Sequence, residues 1–125
     1  MAALLPRASP SAVRGSSARA RAEPACALSL VVPAFDEEPN LEPLFRRILD
    51  VFGAREGWEL VLVDDGSSDG TARVIRELVR RDRRVIGVSL ARNCGQTAAL
   101  AAGIELARGE LIGRASCRER VYACV

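Results

Sequence analysis

Histidine and lysine are both absent from this 125-residue chain, and aromatic residues make up only 4% of it. Cys26, Cys94, Cys117 and Cys124 form no Cys-x-x-Cys pair and have no histidine to join them, so no zinc-ligand pattern is present. The same spacing gives no sign of a disulfide framework, and the chain reads as cytosolic. No apolar run approaches the length of a membrane span. No Gly-x-Gly-x-x-Gly follows the first predicted strand, and no Gly-x-x-x-x-Gly-Lys-Ser/Thr occurs anywhere, which argues against a dinucleotide fold and a P-loop. With lysine missing, all 18 basic residues are arginine, a bias that reads as GC-rich coding DNA before any functional choice.

What is present suits one domain at most, with 49% hydrophobic residues to build a core. The net charge of +2 hides three unlike segments. Residues 1–27 carry +3, are rich in Ala, Arg, Ser and Pro, and show no period. They read as a disordered leader, with a composition that also fits a transit peptide. Residues 28–111 carry −3, which argues against a nucleic-acid-binding face. Residues 112–125 carry +2 and again show no period. Ile112–Val121 match the translation of a common short-read sequencing adapter. The tail is therefore read as foreign, and the natural protein is expected to continue differently after Leu111.

The middle segment alternates strand and helix. Leu28–Val32 reads as a strand stopped by Pro33. Asn40 reads as the cap of a helix with Leu41, Leu44, Phe45, Ile48, Leu49 and Phe52 on one face, stopped by Gly53. Trp58–Val63 is the second strand. Ser68 or Asp69 caps a second helix with Ala72, Val74, Ile75, Leu78 and Val79 inward. Val85–Val88 is a third strand, Gln96–Ala107 an alanine-rich third helix ended by Gly109, and Leu111 the first residue of a fourth strand. This order implies an α/β fold with a doubly wound, mostly parallel sheet. So few parallel strands leave an unpaired edge and a modest core, so the segment reads as half of a domain of marginal stability.

The sharpest local signal is the run Val61-Leu62-Val63-Asp64-Asp65-Gly66-Ser67-Ser68-Asp69-Gly70-Thr71. Two carboxylates close an apolar strand, at the sheet edge where open α/β folds bind ligands. Two adjacent acids there carry desolvation and mutual repulsion that a plain turn does not need. Turn and cap chemistry accounts for Gly66, Asp69 and Gly70 in part. Three strand-end loops converge on that edge: Pro33–Glu38, Asp64–Ser67 and Leu90–Gln96. Acids there can accept hydrogen bonds from a nucleobase or ribose, and an arginine beside a helix start can meet phosphate.

In these three blocks, Leu30–Leu41, Val63–Thr71 and Arg92–Leu100, the chain resembles family 2 glycosyltransferases of the GT-A fold. The third block most resembles the polyprenol-phosphate branch, such as dolichol- or undecaprenyl-phosphate sugar transferases. The resemblance covers about residues 28–111. It implies the N-terminal half of a GT-A (Rossmann-like) domain, a nucleotide-diphosphate-sugar donor and a lipid-phosphate acceptor. It implies that Pro33, Phe35 and Glu37 line the nucleotide pocket, that Asp65 bonds the base and that Asp64 shapes its loop. It further implies that Arg92 lies near a phosphate and that Gly95 and Gln96 shape the adjoining loop. The family usually has Tyr-Asn where this chain has Phe35-Asp36, and an aromatic is common where Cys94 stands. Phe35 keeps a stacking face, while Asp36 adds a negative charge near the diphosphate.

The family's reaction implies Mg2+ or Mn2+ held by an Asp-x-Asp motif at the end of the next strand. This chain has no Asp after Asp82. The expectation is a fragment that binds no metal properly and transfers no sugar, of a full-length enzyme associated with the membrane on its cytoplasmic side. Four readings stay open beside these. Glu37 and Glu38 suit a charged helix start, and Arg92 suits a solvated loop charge. Arg80, Arg81, Arg83 and Arg84 suit a solvated helix end, with lipid headgroups as the alternative. A receiver-like signalling module also carries acids at strand ends, but it needs a later lysine and an Asp after the third strand, where Ser89-Leu90 stand.

Overall fold

The computed structural model describes residues 11–14, 26–115 and 121–124. In chain order the elements are β1 (Ser11–Arg14), β2 (Leu28–Ala34), α1 (Glu38–Phe52), β3 (Trp58–Asp64), α2 (Thr71–Arg81), β4 (Val85–Ser89), α3 (Gln96–Leu106), β5 (Leu111–Ala115) and β6 (Val121–Cys124). They form one six-stranded sheet in the order β1-β4-β3-β2-β5-β6. The inner four strands are parallel, and β1 and β6 pair antiparallel with β4 and β5 at the two edges.

The burial pattern follows from strand and helix periods. Every residue of β3 is buried, as expected of a parallel strand covered on both faces. Leu30, Val32, Leu60 and Leu62 pack against Leu41, Leu44, Phe45 and Ile48 of α1 and Val74, Ile75, Leu78 and Val79 of α2. Val31, Val61, Val63, Ile86 and Val88 point to the other face and meet Ala99 and Ala102 of α3. Gly103 lets α3 lie directly on the sheet, because a Cβ there would overlap Val31 and Val63. The chain runs outward from β2 to β4 and then crosses back to place β5 on β2's other side. That reversal puts a crevice at the carboxyl ends of the central strands.

Several boundaries differ from the sequence reading. β2 runs through Pro33 to Ala34. β5 pairs only with Leu28–Val31, so the edge beside Pro33 needs no N–H donor. α1 starts at Glu38 rather than after Asn40, because Pro39 suits the first helical turn and Glu37 takes the cap position. Gly70, not Ser68 or Asp69, is the residue before α2. Thr71 replaces Ala72 on its buried face, and Ala72 is half-buried. α3 ends at Leu106, one residue short of the expected Ala107.

The stretch read as foreign begins as a strand, with Ile112–Ala115 continuing β5, and Val121–Cys124 forms β6. Within the segment read as a leader, Ser11–Arg14 forms β1; most of the leader, and residues 116–120 and 125 of the tail, lie outside the described residues. The sequence predicts an unpaired edge, but both sides of the parallel sheet carry a short antiparallel strand.

A polar cluster closes the amino end of the sheet. Glu59 is only 2% exposed and accepts from Ser29 Oγ at 2.7 Å, from the Arg108 main chain at 2.8 Å and from Arg108 Nε at 3.1 Å. Ser29 Oγ also accepts from the Gly109 N–H at 2.8 Å. A buried carboxylate is tolerated here because its acceptor sites are taken up.

Candidate functional site

The three loops at the carboxyl ends of β2, β3 and β4 are tied together by hydrogen bonds between main chain and side chain. Asp36, between β2 and α1, has φ 52°, a left-handed conformation that Asp tolerates better than most residues. This turns its N–H to Ser67 Oγ at 2.9 Å, and its Oδ1 accepts from the Ser68 N–H at 2.8 Å. The Glu37 N–H donates to Thr71 Oγ1 at 3.0 Å, and Glu37 Oε1 accepts from Asn40 Nδ2 at 2.6 Å. Glu38 Oε1 accepts from the Gly70 N–H at 2.9 Å, while its other oxygen pairs with Arg73. The Thr71 hydroxyl donates to Asp69 and holds that carboxyl below the usual carboxylate range.

Asp64 and Asp65 are 5% and 3% exposed, and their carboxylates do different work. Asp64 Oδ1 accepts from the Ser67 N–H at 3.0 Å and so closes its own turn. Asp65 reaches across to the loop after β4. Its Oδ1 accepts from the Cys94 N–H at 2.8 Å, and its Oδ2 accepts from the Gly95 N–H at 3.1 Å and Asn93 Nδ2 at 3.2 Å. An ionised carboxylate offers about four acceptor positions, so about one remains for a ligand. Gly66, at φ 72°, lets the Arg92–Asn93 main chain pass directly over the turn; a Cβ would overlap it. Gly95 has open space around it and is needed for its φ of 99° alone.

The remaining expected residues sit around this clasp. Pro33 is half-buried within β2, and Phe35 stands 47% exposed just after it. Arg92 is exposed and makes no ion pair among the described residues. Gln96 is exposed at the first position of α3, whose start has no side-chain cap, leaving main-chain N–H groups for an anion. Sequence reading missed Asn93 and Thr71 as clasp residues. Both lie within the matching blocks, but their partners are 28 and 34 positions away.

Among the described residues no three Cys, Asp or Glu side chains gather closely enough to hold a metal ion. At this edge Asp36, Asp64 and Asp65 accept from main-chain N–H groups of neighbouring loops. No described helix is long and apolar enough to cross a membrane.

Comparison with known proteins agrees with the fold. The profile of Glycosyl transferase family 2 matches residues 29–115. A dodecaprenyl-phosphate galacturonate synthase of Rhizobium johnstonii is 49% identical over 87 residues, which are 68% of this chain and 26% of that protein. An undecaprenyl-phosphate 4-deoxy-4-formamido-L-arabinose transferase of Aeromonas hydrophila is 38% identical over 87 residues, 68% of this chain and 27% of that protein. The chain thus spans about a quarter of the length of these curated relatives.

Among solved structures, the mannosyltransferase PcManGT of Pyrobaculum calidifontis, in complex with GDP-Man and Mn2+, superposes with a TM-score of 0.67 at 25% identity. That match covers 74% of this chain and 28% of PcManGT. Residues 1–349 of S. aureus TarS superpose at 0.65 with 22% identity, over 73% of this chain and 27% of that fragment, and share the fold.

Proposed function

The chain belongs to glycosyltransferase family 2, and from that premise we propose that it carries the donor-nucleotide half of a transferase that moves a sugar from a nucleotide diphosphate to a polyprenyl phosphate. The carrying observation is Asp65, a buried carboxylate at the meeting point of three loops, with acceptor capacity to spare. In this reading Asp65 accepts an N–H of the base. Pro33, the Phe35 ring and Glu37 line the pocket for base and ribose, and Asp64 holds the turn beneath them. Arg92 and the uncapped start of α3, shaped by Gly95 and Gln96, meet the diphosphate.

The acceptor assignment is drawn from the polyprenyl-phosphate relatives, and it places the whole protein's work at a membrane. PcManGT is bound to Mn2+ and a nucleotide sugar, which supports a divalent metal in the family's reaction. The described residues provide no ligand set for it, so no metal-dependent step is assigned to them. The 125-residue chain is accordingly expected to bind a nucleoside diphosphate and to transfer no sugar.

Calorimetric titration with UDP and GDP tests this. Binding of one of them is expected, weakened about ten-fold or more by Arg92→Gln, the scale of one lost charge-assisted hydrogen bond. No binding of either nucleotide overturns the reading of the site. Sugar transfer by the pure chain overturns its inactivity.

A further inference from the structure

The α1–α2 layer is the most strongly charged surface that the nucleotide site does not use. Glu38–Phe52 and residues 71–84 hold eight arginines and five acids, against a net −3 for residues 28–111 as a whole. Four of the five acids are already in ion pairs, shared among three arginines. Glu38 and Glu77 pair with Arg73, Glu42 pairs with Arg81, and Asp82 pairs with Arg84. The two cross-helix pairs also lock α1 and α2 side by side on one face of the sheet.

That pairing leaves Arg46, Arg47, Arg76, Arg80 and Arg83, all exposed and none in an ion pair among the described residues. Asp50 is the one acid of the layer left to oppose them. Helical spacing puts Arg76 and Arg80 one turn apart on α2, with Arg83 just beyond its end. Arg46 and Arg47 occupy the outward side of α1, opposite Leu41, Leu44 and Ile48.

We infer that this layer docks on an anionic lipid surface, with α1 and α2 lying along it. Five unpaired arginines on two locked, parallel helices present guanidinium groups over a broad face rather than in a pocket. A sheet of lipid phosphates meets that arrangement better than a single small anion does. The choice of lipid over nucleic acid rests on the polyprenyl-phosphate acceptor proposed above. Docked this way, the crevice at the strand ends opens along the plane of the membrane.

The test is flotation of the 125-residue chain with vesicles of phosphatidylcholine alone and of phosphatidylcholine mixed with phosphatidylglycerol, across a salt series. Binding is expected only to the mixed vesicles and is expected to fade as salt rises. Arg76→Gln/Arg80→Gln/Arg83→Gln is expected to weaken it on the order of a hundred-fold, about five-fold per arginine. Arg46→Gln/Arg47→Gln is an independent second variant on the other helix. Unchanged unfolding midpoints show that both variants remain folded.

No flotation with mixed vesicles at low salt overturns the inference, as does full flotation of the triple variant. Tighter binding to a single-stranded RNA oligonucleotide than to the mixed vesicles also overturns it. The vesicles hold no nucleotide, so failure here leaves the UDP and GDP titration to judge the transferase reading separately.

Discussion

Asp65→Asn is the substitution that most directly separates a clasp from a decorative acid. The native carboxylate accepts three hydrogen bonds from the loop after β4, one on Oδ1 and two on Oδ2. An amide must turn its NH2 toward one set of donors. If it faces Gly95 and Asn93, two bonds are lost; if it faces Cys94, one is lost. At about 1.5 kcal/mol for each bond to a charged group, and with the survivors weakened by the lost charge, the cost is about 2 to 4 kcal/mol. For a folded unit of this size that lowers the melting temperature by roughly 10 to 25 °C.

Asp64→Asn is the control, because its amide oxygen can still accept the single Ser67 N–H, and its expected cost is about 1 kcal/mol or less. Urea unfolding followed by Trp58 fluorescence measures both. Trp58 is the sole tryptophan, buried with Arg84 stacked 4.2 Å from its ring. Equal midpoints for the two variants would refute the clasp.

The two glycines of the clasp differ in a measurable way. Gly66→Ala meets both an unfavourable φ and the Arg92–Asn93 main chain, and is expected to cost more than about 3 kcal/mol. Gly95→Ala meets only the unfavourable φ, with an expected cost of about 1 to 3 kcal/mol; a larger loss at Gly95 in the same urea assay contradicts the close approach. Burial raises the Asp82 carboxyl, but hydrogen bonds from Arg84 outweigh this and hold it below the usual carboxylate range. Its contribution is thus present above that range and lost as pH falls through the depressed value, so Asp82→Asn should flatten the acid limb of a stability-versus-pH curve. A parallel shift of the whole curve would count against this.

The parts of the fold that sequence made legible are those written in local periods. The stripe from Leu41 to Phe52 and the apolar run ending at Asp64-Asp65 each carry their own pattern, and both elements are present. The start of α1 was misplaced because Asn40 is a good cap by type, while the chain turns at Asp36 under the pull of Ser67 and Ser68, some 30 positions away. The convergence of the three loops followed from parallel strand order. The exchange of donors between them did not, since Asp65 meets Asn93, Cys94 and Gly95 only after folding. Glu59 passed as one polar residue in a strand, and nothing near it in sequence names Ser29 or Arg108 as partners.

The Glu59 cluster also governs how the strand beside β2 is admitted to the sheet. Arg108 and Gly109 are anchored by side chains 49 and 80 positions earlier, and the Leu111 N–H then donates to the Ala27 carbonyl at 3.0 Å. The position of the chain entering β5 is therefore held by groups that belong to β2 and β3. Leu111–Ala115 then runs as a strand in parallel register with Leu28–Val31. The dock is built from side chains of β2 and β3, so the side chains of β5 inherit an alignment they did not specify.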